Sequence, residues 1–181
     1  MEVERLSDLL AWTPPVIKDI ISGGILRPQS RLILFGLYDS MKSITVMHMG
    51  FCIASGRDWF GYHTQPCVTV ISQFEVPREE SRERVGIYVK GNQICPANLW
   101  FIHDTSGCKL DKDINLRKLD DYLSLIKPGV LILDPIYQIM SGDISSSVDV
   151  KRLLDSLNWL MHKHNLAIVL VGHTKKVLEP G

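Results

Sequence analysis

No two of the four cysteines, Cys52, Cys67, Cys95 and Cys108, form a Cys-x-x-Cys pair. Neither a zinc site nor a dithiol redox motif is therefore supported. Scattered thiols of this kind fit a reducing compartment, and they read as small buried hydrophobes. Net charge is missing as well, because 20 basic side chains balance 20 acidic ones. That balance removes the long-range field that drives non-specific binding to nucleic acid or anionic membrane, leaving room only for a local patch. Long hydrophobic runs are absent: the longest fall far below the ~20 residues needed to cross a bilayer. The opening MEVERLSDLLAW is charged and lacks the apolar centre of a secretory leader. A cytoplasmic protein without a membrane partner is expected. There is no internal repeat, low-complexity stretch or charge block. A composition of 45% hydrophobic and 22% charged residues excludes a disordered tail, a collagen-like chain and a coiled coil.

What the chain does contain is a recurring unit of apolar run, turn and helix. The runs are Leu32–Phe35, Val68–Ile71, Leu99–Ile102, Val130–Leu133 and Ala167–Val171. Each is continuous rather than alternating, the pattern of a strand covered on both faces. Between them, Ile44, Met47, Phe51 and Ala54 recur at helical spacing after Lys42, with Gly56 as the stop. Ser146 and Asp149 form a capping pair ahead of the stripe Val150, Leu153, Leu154, Leu157 and Leu160, and Asn165 closes it. Shorter helices are predicted over Glu79–Val89, ending near Gly91, and Asp120–Ile126, ending at Pro128-Gly129. Strands alternating with helices predict an α/β three-layer sandwich with a mostly parallel sheet. Residues 1–30 read as a lead-in of one short helix, Gly23-Gly24 and a brief strand; residues 31–181 read as the core. Because the sequence stops at Gly181, just past the fifth run, the core is expected to be truncated at its C-terminal side.

The sharpest motif is Gly36-Leu37-Tyr38-Asp39-Ser40-Met41-Lys42-Ser43, lying between the first strand and the first helix. In that context main-chain N–H groups and the positive end of a helix can surround a phosphate. Lys42 would reach the terminal phosphates, and Ser43 would ligate Mg²⁺. One such charge pair is worth about 4 kcal/mol at ~4 Å and an effective dielectric of about 20. The pattern departs from G-x-x-x-x-G-K-[ST] at Met41, where the second glycine belongs. If that position needs a positive φ, a methionine costs about 1–2 kcal/mol. Asp39 adds a negative charge that must point away from a phosphate. The alternative is an ordinary strand-to-helix turn with a surface lysine.

Three further residues stand at the ends of apolar runs. Asp134 closes GVLILDP and is either a Mg²⁺-orienting carboxylate or a cap before Pro135. Glu75 follows the second run and is the candidate base for an attacking water. Glu79 and Glu80 nearby read as solvated. His173 ends the fifth run and is either a γ-phosphate sensor or structural. Such ends lie at the edge where parallel α/β sheets bind ligands. His162 and His164 are two apart on a helix and are not a metal pair. Trp59, Phe60 and Tyr62 read as core aromatics, with a nucleobase contact as the lesser option.

The order of these motifs resembles that of RecA-type P-loop ATPases, particularly a branch similar to the hexameric replicative helicase RepA of phage and plasmid type. The stretches that carry the resemblance are GLYDSMKSITVMHMGFCIASGRDWFGY, VTVISQFEVPREESRERV, LILDPIYQIMSGD and IVLVGHTKK. The resemblance implies that Lys42 and Ser43 are the Walker A pair and Asp134 the Walker B aspartate. It implies that Glu75 is the water-activating glutamate and His173 the γ-phosphate sensor, on a strand between the phosphate-loop strand and the Walker B strand. ATP and Mg²⁺ would be the cofactors, a hexamer-like homo-oligomeric ring the assembly, and single-stranded DNA a partner. Met41 implies weakened nucleotide binding. The family's nucleic-acid loop and arginine finger fall beyond Gly181, with Lys175 and Lys176 at the start of that loop. The expected function is a Mg-ATP-hydrolysing helicase or DNA-metabolism motor subunit. The alternatives are a hydrolysis-impaired nucleotide-binding scaffold and a small-molecule P-loop kinase.

Overall fold

In a computed structural model, the chain is described over residues 3–104 and 107–173. The expectations for Lys175, Lys176 and the chain end at Gly181 lie outside the described residues. Among them stand α1 (Leu6–Ala11), β1 (Arg31–Gly36), α2 (Lys42–Ser55), β2 (Thr69–Gln73), α3 (Arg78–Asn92) and β3 (Leu99–His103). The order continues with α4 (Asp113–Ile126), β4 (Val130–Asp134), a short 3-10 turn (Ile136–Ile139), α5 (Ser147–His164) and β5 (Ala167–His173). The sheet has the order β1-β5-β4-β2-β3, and every pairing in it is parallel.

Strand alternation divides the core into two faces. Leu131, Leu133, Ile168 and Leu170 pack with Leu119 and Leu123 of α4 and Leu153, Leu157 and Leu160 of α5. Val130, Ile132, Ala167, Val169 and Val171 face the other way, onto Val46, Met49 and Ile53 of α2. Helices on both faces give the three-layer sandwich. β4 is buried throughout and β5 is buried up to its last residue. Both centres of the sheet therefore read as unbroken apolar runs.

The same reading fails at the flanks. Phe35 of β1 is 60% exposed and Trp100 of β3 is 50% exposed. Both belong to the outermost strands, where the covering helix of a neighbour does not reach. A local apolar run carries no information about sheet order, so the two-faced cover holds only for the inner strands. β2 also sits further along than the run Val68–Ile71, because Ser72 and Gln73 continue the pairing with β4.

Helix ends follow local chemistry. Asp149 N–H donates to the Ser146 side-chain oxygen at 3.3 Å, and Asn165 closes α5 in the left-handed conformation. Gly56 closes α2 with φ 71°. α3 and α4 run longer than their apolar stripes, ending at left-handed Gln93 and Lys127. In the lead-in the expected strand is replaced by isolated antiparallel bridges of Ile21 with Leu26 and Thr64. Cys52 is buried, Cys67 and Cys108 are half-buried, and Cys95 is exposed rather than packed. Among the described residues no helix is long and apolar enough to cross a membrane.

Candidate nucleotide site

A parallel sheet brings every strand's carboxyl end to one edge. The β1–α2 loop, Glu75, Asp134 and His173 all meet there. They surround a cleft of 690 Å³ lined by the loop residues Tyr38 to Ile44, by Glu75, Val76, Glu80 and Arg84, and by His173. Gly36, Leu37 and Asp134 do not line the cleft themselves; Leu37 is exposed, and Asp134 is buried with only 6% exposure.

The loop is held by its own atoms. Lys42, 6% exposed, turns its ammonium back to donate to the Leu37 carbonyl and, at 3.1 Å, to the Ser40 hydroxyl. Ser40 in turn donates to the Leu37 carbonyl at 2.7 Å. Gly36 is required by close approach: a Cβ there would sit 2.6 Å from Ser40 Oγ and 3.3 Å from Lys42 Cδ. Met41 occupies the left-handed region with φ 59° and ψ 22°, and Asp39 shares it with φ 58°. The missing glycine therefore does fall where a positive φ is needed. The methionine side chain is 70% exposed and meets solvent.

Electrostatics reflect the meeting of the strand ends. Burial pushes the Asp134 carboxyl above its ordinary value, opposed by hydrogen bonding with Ser43 and by the charges of His173, Lys42 and Arg84. Burial also raises Glu75, with His173 opposing, Asp134 reinforcing and a Gln138 hydrogen bond opposing. His173 sits between Tyr38 and Tyr137, with ring centroids 5.5 and 5.6 Å away, and its Nδ1 is buried without a hydrogen-bond partner among the described residues. Such a nitrogen costs free energy until something bonds to it.

Sequence reasoning missed two residues here. Arg84 and Glu80 pair one turn apart on α3 and both line the cleft. An i,i+4 ion pair ordinarily marks a solvated face, so Glu80 read as solvated. Only the position of α3 beside the cleft gives the pair its place. Trp59, Phe60 and Tyr62 do not line this cleft, and Trp59 packs against the α2 face of the core. His164 Nε2 meets Asp120 at 2.8 Å, joining α5 to α4. No group of three or more His, Cys, Asp or Glu able to hold a metal occurs among the described residues. Ser43 and Asp134 nevertheless supply hard oxygen donors of the kind Mg²⁺ takes when phosphates and waters complete its shell.

A family model described as an AAA domain (AAA_25) matches residues 2–179. The chain belongs to that family. Among solved structures, it is similar to a KaiC-like protein from the hyperthermophilic archaeon Pyrococcus horikoshii OT3, with TM-score 0.61 and 14% identity over 92% of this chain and 74% of that one. It is also similar to the flagellar accessory protein FlaH from Methanocaldococcus jannaschii, with TM-score 0.57, 18% identity and coverage of 87% and 66%. The RadB recombinase gives TM-score 0.54 at 16% identity, with coverage of 84% and 66%. The chain thus spans about two thirds of the length of the latter two. No curated protein matches the sequence. The family is that of an AAA domain, and the fold is the RecA-like α/β fold.

Proposed function

We propose that this AAA domain binds ATP with Mg²⁺ in the cleft and hydrolyses it. The observation that carries the reading is the convergence of Lys42, Glu75, Asp134 and His173, distant in sequence, on one sheet edge, where their charges act on one another. The α2 N-terminus and the loop N–H groups receive the phosphates, and Lys42 exchanges its hydrogen bonds with Leu37 and Ser40 for phosphate oxygens. Ser43 and Asp134 hold Mg²⁺, which supplies charge neutralisation at the phosphates when bound. Glu75 accepts a proton from water poised for in-line attack, and partial burial raises its carboxyl above the ordinary value, the direction that strengthens a base. His173 offers a ring N–H to the γ-phosphate oxygens as negative charge builds there.

At a finer level we assign the chain to a RepA-like motor of DNA metabolism, acting as a homo-oligomer on single-stranded DNA. The ordered motifs support this assignment, together with a nucleotide cleft that opens at the protein surface. The lead-in over residues 1–30 and the core over 31–181 are the corresponding division of the chain.

Two variants test the reading. Lys42→Ala lowers ATP affinity by about 100-fold or more, the scale set by a ~4 kcal/mol charge pair offset by the hydrogen bonds to Leu37 and Ser40 that the ammonium gives up on binding. Glu75→Gln binds ATP like the parent, yet slows single-turnover phosphate release by about 10²–10⁴-fold, with or without single-stranded DNA. Equal, near-zero release from parent and Glu75→Gln makes the chain a nucleotide-binding scaffold instead. Transfer of the phosphoryl group to a small molecule makes it a kinase.

A further inference from the structure

Helix α3 carries the cleft residues Glu80 and Arg84, yet its grip on the sheet is slight. Ser81 is the one fully buried residue of the helix. Further along, Val85, Tyr88 and Val89 pack only partly against Met47, Phe51 and Ile94. Among the described residues, the first turns, where the helix reaches the nucleotide cleft, have a single side-chain hydrogen bond to the sheet. Ser81 Oγ donates to Gln73 Oε1 at 2.6 Å, with both residues buried.

Gln73 is a firm footing for that anchor. It is the last residue of β2, registered between Asp134 of β4 and His103 of β3. Its carbonyl accepts from Asp104 N–H at 3.2 Å, and the following Phe74 N–H donates to the Asp134 carbonyl at 3.1 Å. The chain therefore leaves a fixed point beside Asp134, passes Glu75 and Val76 at the cleft, turns at Pro77 and is tied back at Ser81. Among the described residues, the loop that holds the candidate base is closed at its neck by one side-chain hydrogen bond.

We infer that Gln73 and Ser81 form a positioning clamp, which sets the Glu75 loop and the first turns of α3 over the nucleotide and so governs the hydrolytic step rather than binding. The inference rests on the ATPase reading and adds to it residues that touch neither nucleotide nor water. Catalytic geometry is steep in distance: a shift of about 1 Å can cost on the order of 100-fold in rate. The bond is shielded from water, so solvent cannot replace a missing partner without opening the loop.

The test uses the whole chain with ATP, Mg²⁺ and single-stranded DNA. Ser81→Ala is expected to keep the parent's affinity for a fluorescent ATP analogue and to lose about 10- to 100-fold in single-turnover phosphate release. Ser81→Thr, which restores a hydroxyl, recovers the rate. Amide exchange rises over residues 74–81 in Ser81→Ala and not in α5. A merely structural role would lower affinity along with rate and would not be rescued by the hydroxyl of Ser81→Thr. Should Ser81→Ala fold poorly, the double variant Gln73→Leu/Ser81→Ala removes both polar partners at once and gives the same kinetic loss in a stable chain. A parent that hydrolyses ATP and a Ser81→Ala chain that keeps its rate overturn the clamp alone. A parent that binds ATP and releases no phosphate overturns the hydrolytic reading and the clamp with it.

Discussion

Replacing Met41 by glycine separates a cost of folding from a cost of binding. Met41 holds φ 59° and ψ 22° at the N-cap of α2, and its side chain is 70% exposed. Removing that side chain therefore forfeits little packing. The left-handed backbone costs a non-glycine residue about 1–2 kcal/mol. Glycine returns about 0.4–1 kcal/mol of that through the greater freedom of its unfolded chain. The balance favours Met41→Gly by about 0–1.5 kcal/mol, centred near 1. For a chain of this size, a gain near 1 kcal/mol raises the unfolding midpoint by about 2–4 °C. The left-handed turn already stands with Lys42 folded into the loop, so the strain belongs to the fold before any nucleotide arrives. Affinity for ATP should not change, contrary to what the missing glycine implies when the motif is read alone. Thermal unfolding and titration with a fluorescent ATP analogue check both halves. A lowered midpoint refutes the strain argument. An affinity gain of tenfold, about 1.4 kcal/mol, shows that the loop takes up its strain only on binding.

Asp134→Asn should raise the unfolding midpoint at pH 7 while abolishing Mg²⁺-dependent hydrolysis, as thermal scans and phosphate release will show. The sign follows from burial, which raises the folded-state pKa. The neutral form's stability is fully present below the unfolded value and is lost as pH rises through the folded one, so the gain from asparagine vanishes in acid. Gly36→Ala forces a Cβ to within 2.6 Å of Ser40 Oγ, whose bonds to Leu37 and Lys42 must then break. At about 1 kcal/mol for the Ser40–Leu37 bond, which the loop keeps when Lys42 turns to the phosphates, ATP affinity should fall about fivefold, and an unchanged titration would rule out the tight loop. Arg84→Ala removes a cation that lines the cleft and favours the charged form of Asp134. Its ATP affinity should drop about 10- to 100-fold with a shallower salt dependence, whereas parental affinity would leave Arg84 paired with Glu80 alone.

The site was legible in the sequence because a parallel sheet converts chain order into spatial convergence. Each inner strand is an apolar run, and the first polar group after it must emerge at the carboxyl edge. Asp134 after Leu133 and His173 after Gly172 could both be found that way. Glu75 does not follow from that rule alone, which would name Ser72: β2 runs two residues past its apolar stretch, and Glu75 stands out only as the first carboxylate beyond it. What local sequence could not carry was lateral order. The runs of β1 and β3 resemble those of β4 and β5, yet β1 and β3 lie at the flanks of the sheet. Phe35 and Trp100 are exposed for that reason alone. Arg84 and Ser81 were illegible for a related cause. A charged i,i+4 pair and a lone serine on a polar helix have the pattern of a solvated surface, and only the placement of α3 makes one a cleft residue and the other an anchor.

Lateral order is also what gives the convergent residues their separate roles. Because β5 lies between β1 and β4, Gly36 registers beside His173, so the phosphate loop and the candidate sensor are next neighbours. β4 lies between β5 and β2, which sets Asp134 beside Gln73, with Glu75 two residues beyond. Under the proposed function, a phosphate chain seated on the α2 N-terminus would meet Lys42 and Ser43 first, with His173 and Glu75 on strand ends to either side of Asp134. Exchanging β5 and β2 in the sheet would keep every motif in the sequence and the same strand-end chemistry, yet would set Glu75 beside the phosphate loop and His173 beyond Asp134. The water and the sensor would then approach from the wrong sides. The ordered motifs name the candidates, but it is the crossover from β4 through α5 back to the flank of β1 that sets His173 between the loop and Asp134, as the proposed in-line attack requires.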